Sequence, residues 1–418
     1  MALRTFAPIA VTLSLLIHIP TGSGPQAAEP MKSVYSLDEI LTLALERNPT
    51  VAGAQGLIKQ SRGQRIAAGA YPNPSLTGNA GRGAIRDPST GVHITERTIT
   101  VEQPIEWTGK RQARQEAAEA GVEGAHAALE ETRLSLRADV KVAVYQLLYA
   151  ERDAELSAHN LTTIEEVLRT VKARVAAGEA TSFDSMKAGV EVQKAQKELS
   201  RAQNALIVAR AKVNTLAGGA LGKQFSIQGD FSSGPRLEPE QIAARALEEH
   251  PTVRRLHKLA EQAGHTVQYE RASRVPTVAV IGQYHREAGD ESMTAGLSVP
   301  LPLWYRRQGE IEAALGAQYR AEADRRRVQN ELEQAITQHA QELRTALDQL
   351  QVFETGLLKQ AEQTLHVART SFRHGAASLL DLLDAQRVYR QTLLEYAQVR
   401  TELSIAAARL ERAVGAPL

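Results

Sequence analysis

Two stretches of this chain repeat apolar residues at three-and-four spacing for far longer than an ordinary helix needs. Between Lys110 and Ala177 there is no proline, and Leu136, Val140, Val144, Leu147, Ala154, Ala158, Leu161, Ile164, Leu168, Val171 and Val175 form one stripe. That period predicts a helix with a narrow apolar seam. At ~1.5 Å per residue it is about 100 Å long. No compact domain holds such a rod unless it packs along equally long neighbours. A second stripe from about Gln308 to Arg373 carries Leu332, Ile336, Leu343, Leu347, Leu350, Leu357, Ala361, Leu365 and Phe372.

Each rod meets a reversal, at Gly178 to Asp184 or Gly375 to Asp381. Glycine suits the left-handed residue that ends a helix. Thr181 and Ser378, each followed three positions later by aspartate, predict capping boxes for the returning helices. Those helices, about Asp184–Leu216 and Asp381–Val414, are half the length of the rods. Helices beginning near Thr50 and Thr252 are the pieces left to cover the remaining half.

A period of two appears just before each rod. Val278, Val280, Gly282 and Tyr284 alternate, as do Met293, Ala295, Leu297, Val299 and Leu301, around a turn at Glu287–Asp290; this predicts a hairpin over about 276–301. An earlier hairpin over about 74–103, turning at Arg86–Gly91, alternates poorly and is expected chiefly because the chain is duplicated. Ala44-Leu45-Glu46-Arg47-Asn48-Pro49-Thr50-Val51 returns 202 positions later as Ala246-Leu247-Glu248-Glu249-His250-Pro251-Thr252-Val253. An offset of 197 then carries Trp107, Gly178, Asp184 and Gly218 onto Trp304, Gly375, Asp381 and Gly415. Such self-similarity sets the organisation before any propensity is weighed. Repeat 1 is expected over 29–218, with a helical hairpin at about 110–217. A glycine-rich linker follows at 219–235, then repeat 2 over 236–418, with a helical hairpin at about 306–415. The fold class is mainly α with a small β part.

Composition and the start of the chain change the picture in four places. Aromatic residues are only 4% of the chain, which fits long helices with thin seams better than a thick globular core. Arg4, the apolar run Phe6–Ile19 and the small residues ending at Ala28 read as an export signal over 1–28, too short to span a bilayer. There is no cysteine, so disulfides and thiolate metal sites are ruled out. A net charge of +1 gives no electrostatic case for nucleic acid.

One chain supplies four strands, too few to close a barrel, and lipid does not tolerate an open sheet edge. Three chains would supply twelve, an even-numbered antiparallel barrel wide enough for a channel. Trp107 and Trp304, at equivalent strand-to-helix junctions, suit membrane-interface anchors; simple packing at the junction is the competing reading.

The tandem order, the Asn48-Pro49 and His250-Pro251 helix ends, the Val299-Pro300-Leu301-Pro302-Leu303-Trp304 junction and the paired reversals resemble the TolC family of outer-membrane efflux proteins. The resemblance covers essentially the whole mature chain and is nearest the heavy-metal branch of the cobalt-zinc-cadmium type. It implies a homotrimer: a twelve-stranded β-barrel in the outer membrane, continued by a twelve-helix tunnel through the periplasm. It further implies a periplasmic adaptor, the membrane fusion protein, and an inner-membrane transporter of the RND type. The chain would be a passive, gated conduit, with no catalytic residues and no cofactor.

The resemblance places adaptor docking at the reversals, through Gly178, Thr181, Asp184, Gly375, Ser378 and Asp381. Capping alone also explains these residues. Asp381 and Asp384 match by position the acidic ring at the family's tunnel entrance, where six carboxylates in a trimer would favour cations. Repeat 1 has Lys187 in the second of these places. Phe372 and Ala377 replace the tyrosine and arginine of that family's closing bonds. The histidines form no i, i+4 pair, so no metal site is expected. A soluble periplasmic coiled-coil adaptor or scaffold is the alternative, in which the rods need no barrel.

Overall fold

The computed structural model describes residues 33–84, 93–229, 231, 249–287 and 289–416. The export signal at 1–28, the turn at 86–91, the linker beyond 231 and the start of repeat 2 up to 248 lie outside these residues.

Strand β1 (Val34–Ser36) leads into α1 (Leu37–Arg47) and α2 (Pro49–Gly69). Ser36 and Glu39 close a reciprocal capping box at the start of α1. Pro49, lacking an N–H, ends α1 and occupies the first turn of α2, where no donor is needed. The hairpin β2 (Ser75–Ala84) and β3 (His93–Ile105) precedes the rod α3 (Thr108–Ala176), whose 69 residues span about 100 Å. Helix α4 (Ser182–Leu216) returns along it, followed by β4 (Ser226–Gln228). Repeat 2 supplies α5 (Pro251–Ala272), β5 (Val278–Glu287), β6 (Asp290–Ser298), α6 (Gln308–Val352), α7 (Leu358–Arg373) and α8 (Leu379–Val414).

The half of α3 that α4 does not reach is covered by α2 and by α5, and α5 also packs on α6. Helix α5 therefore joins the two rods as well as covering its own. Glu131 of α3 accepts from Thr252 and Arg255, and Lys258 bridges Glu123 and Glu261. The main core lies where the short helices meet α3, around Ile40, Ala44, Val140, Val144, Leu147 and Val213.

Two features depart from the sequence reading. The segment from 219, expected to be a linker, is packed as far as Gln228: Leu221 and Phe225 enter the core beside Tyr35, and β4 pairs with β1 in parallel. Its glycines serve turns, with positive φ at Gly218, Gly219 and Gly222. The second rod stays helical from Gln308 to Arg373 as expected, but within it Phe353–Leu357 forms a π-turn between α6 and α7 that the periodicity did not foretell. The buried positions run Ala346, Phe353, Ala361, Leu365 and Phe372. The eight-residue step from Phe353 to Ala361 exceeds a heptad, and the widened turn absorbs the extra residue.

The four long strands form one antiparallel sheet in the order β2-β3-β5-β6, so β3 and β5 join the two repeats. Strand β6 begins earlier than the alternation alone implies, with Glu287 facing Asp290 across a tight turn at Gly289. It ends at Ser298 because Pro300 and Pro302 cannot donate to a ladder.

Candidate functional site

The register assigns every strand residue to a face, since directly opposed residues project to the same side. One face carries Leu76, Ile99, Val101, Ile105, Val278, Val280, Tyr284, Met293 and Leu297. Most of these are well exposed in the single chain, Met293 by 85% and Leu76 by 74%. The opposite face carries Ser75, Thr77, Asn79, Glu96, Thr98, Thr100, Glu102, Gln283, His285, Glu287, Asp290, Ser292 and Thr294.

Charge follows the same division. Among the described strand residues, Glu96, Glu102, Glu287 and Asp290 lie on the polar face, and Arg82, Arg97 and Arg286 lie on the apolar face near its turn-side rim. Glu291 joins the arginines and pairs with Arg286 at 3.4 Å. On the polar face, Thr98 Oγ1 and His285 Nδ1 are 3.0 Å apart, with Glu96 and Glu287 flanking the ring at 3.8 and 3.4 Å. The sequence showed the alternation but could not assign it to faces, because that needs the pairing register. Trp107 and Trp304 stand at the opposite end of the sheet, 63% and 90% exposed.

At the far end of the rods the two reversals are built alike. Gly178 and Gly375 have φ of 79° and 77°. Thr181 Oγ1 accepts from the Asp184 N–H, while Asp184 Oδ2 accepts from the Thr181 N–H and hydroxyl. Ser378 and Asp381 repeat this set. The threonine and serine hydroxyls, then their backbone N–H groups, hold both carboxyls below the ordinary aspartate range. Asp384 accepts from Arg387 at 2.5 Å. Asp381 is thus engaged in its cap and Asp384 in an ion pair on its own helix.

Sequence reasoning missed the residue that joins the reversals. Arg174 donates to the Phe372 and Arg373 carbonyls at 2.9 and 3.0 Å, and its guanidinium lies 4.6 Å from the Phe372 ring centre. Phe372 is buried beside Val171, Ala188, Leu365, Leu379 and Leu382. The available signal was an asymmetry: the position equivalent to Arg174 in repeat 2 is Ser371.

A second pair of residues, which the sequence presented only as helix stops, ties each short helix to a returning helix. Asn48 accepts from the Thr50 N–H and donates to the Leu216 carbonyl at 2.8 Å. His250 does the same with different atoms. Its Nδ1 accepts from the Thr252 N–H, so Nε2 carries the proton and donates to the Arg412 carbonyl at 3.0 Å. Burial pushes the His250 pKa below its ordinary value.

The sequence profile described as "Outer membrane efflux protein" matches residues 40–219 and 242–416. The chain is 27% identical to the cobalt-zinc-cadmium resistance protein CzcC of Cupriavidus metallidurans, over 99% of both chains. It is 26% identical to the nickel-cobalt-cadmium resistance protein NccC of Alcaligenes xylosoxydans xylosoxydans, over 75% of this chain and 69% of that one. Its fold is similar to the crystal structure of CusC, with a TM-score of 0.79 and 16% identity, covering 91% of this chain and 92% of the other.

Proposed function

The chain belongs to the outer membrane efflux protein family, and from that premise we propose that three copies join edge to edge into a twelve-stranded barrel over a twelve-helix tunnel. It is an outer-membrane efflux channel that extends into the periplasm. The two-faced sheet carries the proposal. An apolar face with a polar reverse is what a lipid-embedded barrel with an aqueous lumen requires, and β2 and β6 are free to pair with neighbouring copies. The soluble adaptor or scaffold is set aside, because it would leave that apolar face in water.

The cargo we propose is metal cations, moved passively with energy from an inner-membrane RND-type transporter. Glu96, Glu102, Glu287 and Asp290 would face the lumen, and rings of carboxylates favour cations. The resistance functions in the names of CzcC and NccC point the same way. The reversals, with Gly178, Thr181, Asp184, Gly375, Ser378 and Asp381, are the docking surface for a periplasmic adaptor. Exposed Phe183, Met186 and Leu380 beside them supply apolar area for that contact. Trp107 and Trp304 anchor the barrel at the periplasmic-side interface of the outer membrane. Asp381 and Asp384 would line the tunnel entrance, where the Arg387 partner weakens the field of Asp384.

Reconstitution into planar lipid bilayers tests this. Purified protein should conduct with a reversal potential favouring cations. Changing Glu96, Glu102 and Glu287 to Gln and Asp290 to Asn should remove most of the barrel's share of that preference while conductance persists. A stable, water-soluble single subunit without conductance overturns the proposal.

A further inference from the structure

The arginines on the lipid side of the sheet fit a partner that neither the efflux role nor the helical tip explains. Arg97 and Arg286 are directly opposite one another on neighbouring strands β3 and β5. Arg82 stands slightly further toward the turns on β2. Like charges directly opposed across strands are destabilising. Glu291 offsets Arg286 alone, and Arg97 makes no ion pair with any described residue.

Depth locates them. Arg97 is eight residues from Ile105 on β3, about 27 Å along the strand at ~3.4 Å per residue. At a tilt of roughly 40° that is about 21 Å of membrane depth, against an apolar band roughly 25 Å tall. Trp107 marks the inner edge of the band, so the arginines fall at its outer edge, immediately above Ile99 and Tyr284. The strands reach the rods at their other end, where Ile105 is followed by α3 from Thr108, so this edge faces the exterior. Phosphate groups of the outer-leaflet glycolipid lie at that depth. Guanidinium groups match phosphate with forked, charge-assisted hydrogen bonds.

We propose that Arg82, Arg97 and Arg286 form a docking surface for the phosphates of the outer leaflet's anionic glycolipid, lipid A in particular. Three such surfaces, one per copy, would ring the barrel. The inference rests on the barrel reading above. It explains why all three arginines lie on the lipid side of the sheet, where Glu291 is the one acid beside them among the described strand residues. It also supplies the counter-anion that Arg97 lacks among the described residues.

The experiment uses the full-length trimer in neutral detergent and titrates bis-phosphorylated lipid A in mixed micelles, reading bound lipid by native mass spectrometry. The triple variant Arg82→Gln, Arg97→Gln, Arg286→Gln should bind lipid A at least about tenfold more weakly. It should still conduct in neutral bilayers. Removing both phosphates from the lipid should abolish the difference between the proteins. Should the triple variant fail to assemble, Arg97→Gln alone should weaken binding by about threefold or more. Equal lipid A binding by wild type and an assembled variant overturns the proposal. Full competition by millimolar inorganic phosphate also overturns it, since the surface would then read free phosphate rather than lipid. Failure of the wild type to form any trimeric pore refutes the barrel instead, and the conductance measurement separates that outcome from the others.

Discussion

Replacing His250 tests whether one imidazole holds the start of α5 to the end of α8. Its neutral ring closes two contacts at once, accepting from Thr252 and donating to the Arg412 carbonyl. His250→Ala removes an N-cap, worth about 1 kcal/mol, and leaves a partly buried carbonyl short of a donor, worth about 1–3 kcal/mol. A loss of about 2–4 kcal/mol is expected. His250→Asn installs the amide that Asn48 uses in repeat 1 and should restore most of this. The two variants also separate in pH. Because burial holds the folded-state pKa below the ordinary 6.5, the unfolded chain binds more protons once the pH falls through that value. The stabilisation is complete above about pH 6.5 and is lost progressively below it, as a proton on Nδ1 confronts the Thr252 N–H. Nearby Glu131 opposes the shift and the Arg412 charge adds to it. Thermal unfolding of the assembled protein from pH 8 to pH 5 is the assay, with the wild type minus His250→Asn as the signal. A difference flat across that range, or a His250→Asn variant as weak as His250→Ala, would refute the reasoning.

Substitutions at three other positions give distinct readouts. A Cβ on Gly218 would lie 2.6 Å from the Arg47 carbonyl oxygen, whereas one on Gly178 meets nothing within 4 Å. Gly178→Ala should therefore show only the left-handed backbone cost of about 1–2 kcal/mol, and Gly218→Ala should be markedly worse in denaturant unfolding; equal losses would contradict this. Arg174→Ala removes two charge-assisted bonds and a ring contact at the tip, worth roughly 2 kcal/mol, and should raise the resting conductance of reconstituted channels. Arg174→Lys should recover part of the closure, and an unchanged resting conductance in Arg174→Ala would deny the contact any role in holding the tip shut.

The rods, the reversals and the order of the two repeats were legible because helical periodicity and capping are local. The strands of repeat 1 were legible only through their duplicate. Gly78 and Gly81 dilute the alternation of β2, and its meaning appears only when Leu76 is paired with Val101. Strands β1 and β4 have three residues each, too few to show a period. The π-turn contains no proline, and its eight-residue step shows only once burial marks Phe353 and Ala361 as the seam. Arg174 and His250 act through carbonyls 198 and 162 positions away. The sequence showed their neighbours, an ending rod and a following proline, and the partners emerged only from the packing.

The sheet of a single copy stops at two raw borders, β2 on one side and β6 on the other. Each border offers a row of unmet donors and acceptors that lipid cannot satisfy. An isolated subunit therefore has no comfortable place to wait, neither in water, where its greasy side is bare, nor in the bilayer, where its borders are. Where encounter limits assembly, insertion should rise with nearly the third power of the supply of exported subunits, so that modest changes in expression become large changes in the number of finished pores.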